Sequence, residues 1–126
     1  MRQSIYPALR YDDGQAAVDF LKEAFGFEEV SMMKNDDGSI GHAELALDGA
    51  VVMVSDKKAG DARFPAGPTT IYFALNDPDS HHDQAVAAGA DIVLQLVDQD
   101  YGSREYAAKD PGGNVWTFGT YRPSLG

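Results

Sequence analysis

The feature that most constrains this 126-residue chain is an order of elements that runs through twice. Ser4–Tyr11 (SIYPALRY) is strand-like, and Asp12 with Gln15 three residues on makes a capping box that opens a helix. Ala17, Phe20, Leu21, Ala24 and Phe25 recur at helical spacing, and Gly26 closes the helix. Phe27–Lys34, Ile40–Leu47 and Ala50–Val54 then read as three strands, joined by the turn signals Asp37-Gly38 and Asp48-Gly49. After a polar stretch rich in Pro and Gly, the order resumes. Thr69–Asn76 is a strand, Asp77 and Pro78 start a helix that ends at Gly89, and Ile92–Val97, Ser103–Lys109 and Asn114–Tyr121 supply three strands. Short likenesses (YPAL at 6–9, YFAL at 72–75) point to an internal duplication.

A lone β-α-β-β-β unit covers one face of its sheet with the helix and leaves the other bare. Pairing two units buries the seam and turns the bare faces into a cleft. The expected fold is therefore α+β: two tandem β-α-β-β-β modules forming a curved eight-stranded mixed sheet around a cleft. The modules cover about 4–55 and 69–121 of one domain, with 56–68 as linker.

Composition removes several function classes. The chain has no cysteine, so disulfides, thiolate metal sites and a thiol nucleophile are excluded. Its net charge of −10 repels phosphate backbones, which argues against nucleic acid. No window is apolar enough to span a membrane and the start lacks a signal-peptide core, so the cytoplasm is the expected location and no membrane partner is expected. Phosphate-loop, dinucleotide and nucleophile-elbow motifs are all missing.

The duplicated order, together with LRYDDGQAAVDFLKEAFGFE, AAGADIV and SREYAAKDPGGNVWTF, resembles the vicinal oxygen chelate superfamily of glyoxalases, bleomycin-resistance proteins and dioxygenases. The likeness spans about residues 4–121, and the DPxGN turn is its most specific piece. The resemblance implies a homodimer in which modules pair. In the metal enzymes of that family, His, Gln or Glu stand on the first and last strand of each half. Carried onto this chain, those positions are Tyr6, Met53, Thr70 (or Tyr72, two residues on) and Thr117. None is a carboxylate or an imidazole, the donors a divalent cation needs here. The chain thus resembles the metal-free, antibiotic-sequestering members. That implies no metal and no cofactor, with stoichiometric capture of a small molecule, aromatic or an antibiotic, and it leaves open whether any turnover, of a lyase or isomerase kind, occurs.

Strand alternation supplies the candidate lining. Trp116 and Phe118 point toward the helix-covered core, leaving Val115, Thr117 and Gly119 to the cleft. The expected ligand-binding set is Tyr6, Arg10, His42, Glu44, Met53, Ser55, Thr70, Tyr72, Arg104, Tyr106 and Thr117, a mix of aromatic surface and a few directional polar groups. Filling of a collapsed core is the competing reading for the aromatic members. His42 and Glu44, two apart on one strand, share a face and form the tightest chemical pair. They carry the alternative function, a glyoxalase-type lyase with a displaced metal or acid–base site. Arg104 either clamps an anion or pairs with a nearby acid, and Arg10 offers the same two readings. His81 and His82 point about 100° apart on a helix and read as surface residues.

Overall fold

The structure is a computed structural model that describes residues 3–58 and 60–125. Its elements run β1 (Ala8–Tyr11), α1 (Gly14–Phe25), β2 (Glu28–Lys34), β3 (Ile40–Leu47) and β4 (Ala50–Asp56). The second set is β5 (Thr70–Ala74), α2 (Pro78–Ala87), β6 (Asp91–Asp98), β7 (Arg104–Lys109) and β8 (Val115–Gly119). The order is the expected one, twice. The eight strands hydrogen-bond as two four-stranded mixed sheets, ordered β1-β4-β3-β2 and β5-β8-β7-β6. In each, the first strand runs parallel to the fourth and the remaining pairs are antiparallel.

Local chemistry sets the boundaries. Asp13, not Asp12, caps α1: its carboxylate accepts from the Ala16 amide at 3.1 Å. Asp12 turns outward to Lys57 instead, 2.7 Å away. Gly26 takes φ 79°, which glycine adopts without a Cβ clash, and lets the Phe27 amide return to the Leu21 carbonyl at 3.1 Å. Asp48 and Gly49 both have positive φ, the two-residue turn that matches strand twist. The first strand begins only at Ala8, because residues 3–7 are held by other means: the Gln3 side chain bonds both the amide and the carbonyl of Val51.

The two helix-covered faces share one core. Phe25, at the end of α1, packs on Phe118 and Trp116 of the second module with centroids 4.8 and 5.7 Å away. Phe27 meets Phe73 and Trp116 at 5.9 and 5.6 Å. Each such aromatic side chain contributes roughly 1.5–3 kcal/mol of burial. Trp116 therefore lies in the core, completely buried. A polar tie reinforces the seam: the Tyr11 hydroxyl of β1 donates to Asp110 at 2.6 Å, in the DPGGN turn of the other module. The same buried carboxylate accepts from Trp116 Nε1 and Asn114 Nδ2, so it does more than form a turn. Among the described residues no helix is long and apolar enough to cross a membrane.

Candidate functional site

Because the helices cover the inner faces, the outer face of each sheet is left open. Cross-strand register turns these faces into rows. On the first sheet Arg10 pairs with Ser55, and Met33 pairs with His42. Since Ala43 sits opposite Val54, His42 falls opposite Ser55 and one row reads Arg10, Ser55, His42, Met33. The next row reads Ala8, Met53, Glu44, Ser31. A depression of about 140 Å³ lies over this patch, lined by Ala8, Arg10, Gly41, His42, Met53 and Ser55 among others. Tyr6 precedes the strand, 40% exposed, with its hydroxyl on the Gln3 carbonyl.

His42 Nε2 and Glu44 Oε2 are 2.8 Å apart, and both side chains are half-exposed. Among the described residues Arg10 has no ion-pair partner within 4 Å. Its guanidinium carbon sits 4.7 Å from the Phe64 ring centroid, a cation–π contact that lays the linker against β1. A groove of about 340 Å³ between β1 and β5, lined by Ala8, Arg10, Thr70 and Asn114 among others, runs along the seam between the modules.

On the second sheet Thr70 pairs with Val115, Tyr72 with Thr117 and Ala74 with Gly119. Tyr72 is 40% exposed. The β7 partners of this open face are Lys109, Ala107 and Glu105. Tyr106 consequently does not line it. Tyr106 sits opposite Phe118, is completely buried, and its hydroxyl donates to His81 Nδ1 at 2.6 Å. Arg104 shares that inward parity at the strand end, and its fork grips both Asp79 oxygens at 2.7 and 3.0 Å, with Asp98 at 3.2 Å. The arginine ties the start of α2 to β6 and β7, with its Nε–Nη2 edge taken by Asp79.

His81 is likewise not a surface residue. It is buried, and its Nε2–H donates to the Phe25 carbonyl at the end of α1, 2.8 Å away. Burial holds its pKa below the usual histidine value, so a neutral imidazole welds the two helices together. The spacing that could have revealed this is Pro78, His81 and Ala85, the buried stripe of α2. Sequence reasoning also misses Glu105, a carboxylate only 5% exposed on the open side of β7. Counting back from the DPGGN hairpin finds it: Lys109 opposite Val115 forces Tyr106 inward and Glu105 outward.

A sequence model described as "Glyoxalase/Bleomycin resistance protein/Dioxygenase superfamily" matches residues 5–118. The chain belongs to that superfamily. Similar proteins include an uncharacterised protein of Mycobacterium bovis, 33% identical over 124 residues, covering 92% of this chain and 82% of the relative. Among solved structures, TioX from Micromonospora sp. ML1 is 32% identical with TM-score 0.80, covering 96% of this chain and all of that one. An Arabidopsis thaliana protein of TM-score 0.70 is 24% identical, covers 94% and 98% of the two chains, and speaks to fold alone.

Metal enzymes of the superfamily imply a cation among the four strands β1, β4, β5 and β8, and the donor set here does not fit one. Tyr6, Met53, Thr70 or Tyr72, and Thr117 offer a phenol, a thioether and hydroxyls, with no carboxylate or imidazole among them. Among the described residues no group of three His, Cys, Asp or Glu side chains converges on a point. His42 and Glu44 lie on β3, one strand away from those positions, and supply two donors.

Proposed function

We propose that this chain is a metal-independent small-molecule-binding protein of the bleomycin-resistance, antibiotic-sequestering type. The reading is supported chiefly by one observation: Met53 on β4, Thr70 and Tyr72 on β5, and Thr117 on β8 lie on the open faces, with Tyr6 just before β1, and these are the positions (Thr70 or Tyr72 for the third) onto which the family resemblance carries the metal donors. Such surface stacks on flat or apolar groups, and Ser55, His42 and Glu44 can orient a polar one. The chain works as a homodimer in the cytoplasm, the open face of one protomer's first sheet meeting the second sheet of its partner. The apolar surface a single copy exposes, including Met33 at 66% and Tyr72 at 40%, supports that pairing. Light scattering during gel filtration should give twice the 13.6 kDa mass. A thermal-shift screen of aromatic and antibiotic-like compounds tests capture. A ligand at a hundred times its Kd should add about 2.7 kcal/mol. No stabilisation across a chemically broad set would reject the reading.

The His42–Glu44 contact of 2.8 Å favours one second reading, acid–base chemistry of the glyoxalase type. Turnover that disappears in His42→Ala and Glu44→Gln alike would install it in place of capture.

A further inference from the structure

Where the open face of the second sheet meets the chain's last described residues, a carboxylate lies among tyrosines. Glu105 Oε1 accepts from the Tyr101 hydroxyl at 2.6 Å and from Gln99 Nε2 at 3.3 Å, and its Oε2 accepts from Ser103 Oγ at 2.8 Å. All three donors are neutral. No lysine, arginine or histidine pairs with Glu105 among the described residues, and neighbouring Arg104 is spent on Asp79 and Asp98. A charge buried to this degree ordinarily finds a counter-ion.

Three tyrosine rings surround it. Tyr72 and Tyr121 have centroids 6.5 Å apart at 67°, and Tyr101 and Tyr121 are 6.2 Å apart at 89°. Two bonds hold the third ring in place: Tyr72 donates to the Tyr121 carbonyl at 2.7 Å, and the Tyr121 amide reaches Ser103 Oγ at 3.2 Å. Gly119 lets this assembly close up, since a Cβ there would stand 2.8 Å from the Tyr72 hydroxyl and 3.0 Å from Glu105 Oε2. Despite this ordering, Tyr72, Tyr101 and Tyr121 remain 40%, 58% and 48% exposed. Aromatic surface is fixed in place around a negative charge and left bare.

We propose that Tyr72, Tyr101, Tyr121 and Glu105 form a subsite for an organic cation, a methylated or alkylated ammonium group on the captured ligand. A cation in the corner between two near-perpendicular rings can lie within roughly 6 Å of both centroids, the range of cation–π attraction. Glu105 adds a full charge behind them. A metal ion fits poorly, because both carboxylate oxygens already accept hydrogen bonds and, among the described residues, no group of three His, Cys, Asp or Glu side chains converges there. A diffuse alkylammonium needs no lone pair, only field and apolar contact. The chain's −10 charge draws such a ligand in from a distance. The bond to Glu105 pushes the Tyr101 phenol up to about 12, so it stays a donor at any physiological pH.

The subsite rests on the capture reading for its biological setting, yet it is testable alone. Choline and its uncharged isostere 3,3-dimethylbutan-1-ol are titrated into the protein, with binding read from tyrosine fluorescence and amide chemical shifts. Choline should bind roughly tenfold or more tightly than the isostere, with the advantage shrinking as salt rises. Glu105→Gln should erase that advantage. Tyr121→Ala, on a half-exposed ring, removes one wall without touching the buried carboxylate and should weaken choline at least severalfold. Equal binding of the two probes, or binding of neither, overturns the cation subsite. A screening ligand that binds equally well to wild type and Glu105→Gln overturns the subsite while leaving capture standing. Choline bound as expected, with no screening hit, does the reverse.

Discussion

Tyr11→Phe deletes one hydroxyl and changes nothing else in the packing. The ring is 2% exposed, and the lost group donates at 2.6 Å to Asp110, across the boundary between the modules. A hydrogen bond to a charged acceptor contributes about 1.5–3 kcal/mol. The acceptor here keeps other donors, Trp116 Nε1 at 2.9 Å and the Gly112 amide at 2.9 Å among them, so the lower part of that range applies. The expected loss is about 2 kcal/mol, or a Tm fall of about 8 °C for a chain of this size. Tyr106→Phe is the internal control. It removes an equally buried hydroxyl whose acceptor, His81, is neutral, so it should cost about half as much. Calorimetry and urea unfolding measure both, with unchanged urea dependence showing that the folded state is intact. A Tyr11→Phe protein as stable as wild type, or more stable than Tyr106→Phe, would refute the claim that a charged tie joins the modules. Alkaline pH adds a second signature. Burial first, then the Asp110 charge, raises the Tyr11 pKa above its unfolded value. Its contribution is therefore complete below pH of about 10 and lost as pH climbs beyond it, a loss the phenylalanine variant lacks.

Other outcomes follow from the same geometry. Burial lowers the His81 pKa in the folded state, so its stabilisation is full above about pH 6.5 and drains away as pH falls below it. Tm measured from pH 7.5 to 5 should fall less steeply in His81→Asn than in wild type. Gly119→Ala places a Cβ 2.9 Å from that of Glu105 and should cost about 1–3 kcal/mol by denaturant titration. Arg104→Ala breaks a solvent-exposed fork and should shift Tm little. It should also leave ligand affinity unchanged in a thermal-shift titration, because the side chain lies on the helix side of its sheet.

The sequence exposes the architecture well because its punctuation is chemical. Gly26, Asp48-Gly49 and the DPGGN turn each demand a backbone that few other residues adopt, and the structure uses them so. Boundaries are less legible where two residues compete for one task, as Asp12 and Asp13 do for the cap. The candidate site divides along a similar line. On β3 and β4, buried and open residues alternate clearly enough to place His42, Glu44, Met53 and Ser55 on one face. On β7 the signal vanishes, since Glu105, Tyr106, Ala107 and Ala108 are all buried. Two alanines cannot say which side they face, and a buried glutamate reads as solvent-facing. The register of the hairpin carries that information, and only pairing with Val115 and Phe118 brings it out. His81 is half-legible: the α2 spacing of Pro78, His81 and Ala85 marks it as inward, while the Phe25 carbonyl that satisfies its ring comes from the other module and no local pattern shows it.

Calorimetric titration of chelator-stripped protein with nickel, zinc, manganese and ferrous ions bears most directly on the central claim. The absence of carboxylate and imidazole at Tyr6, Met53, Thr70 or Tyr72, and Thr117 predicts no ion retained through dialysis, and the same ligand-induced stabilisation with or without added metal. One ion held per chain, displaced when Met53 or Thr117 is substituted and required for ligand binding, would contradict it.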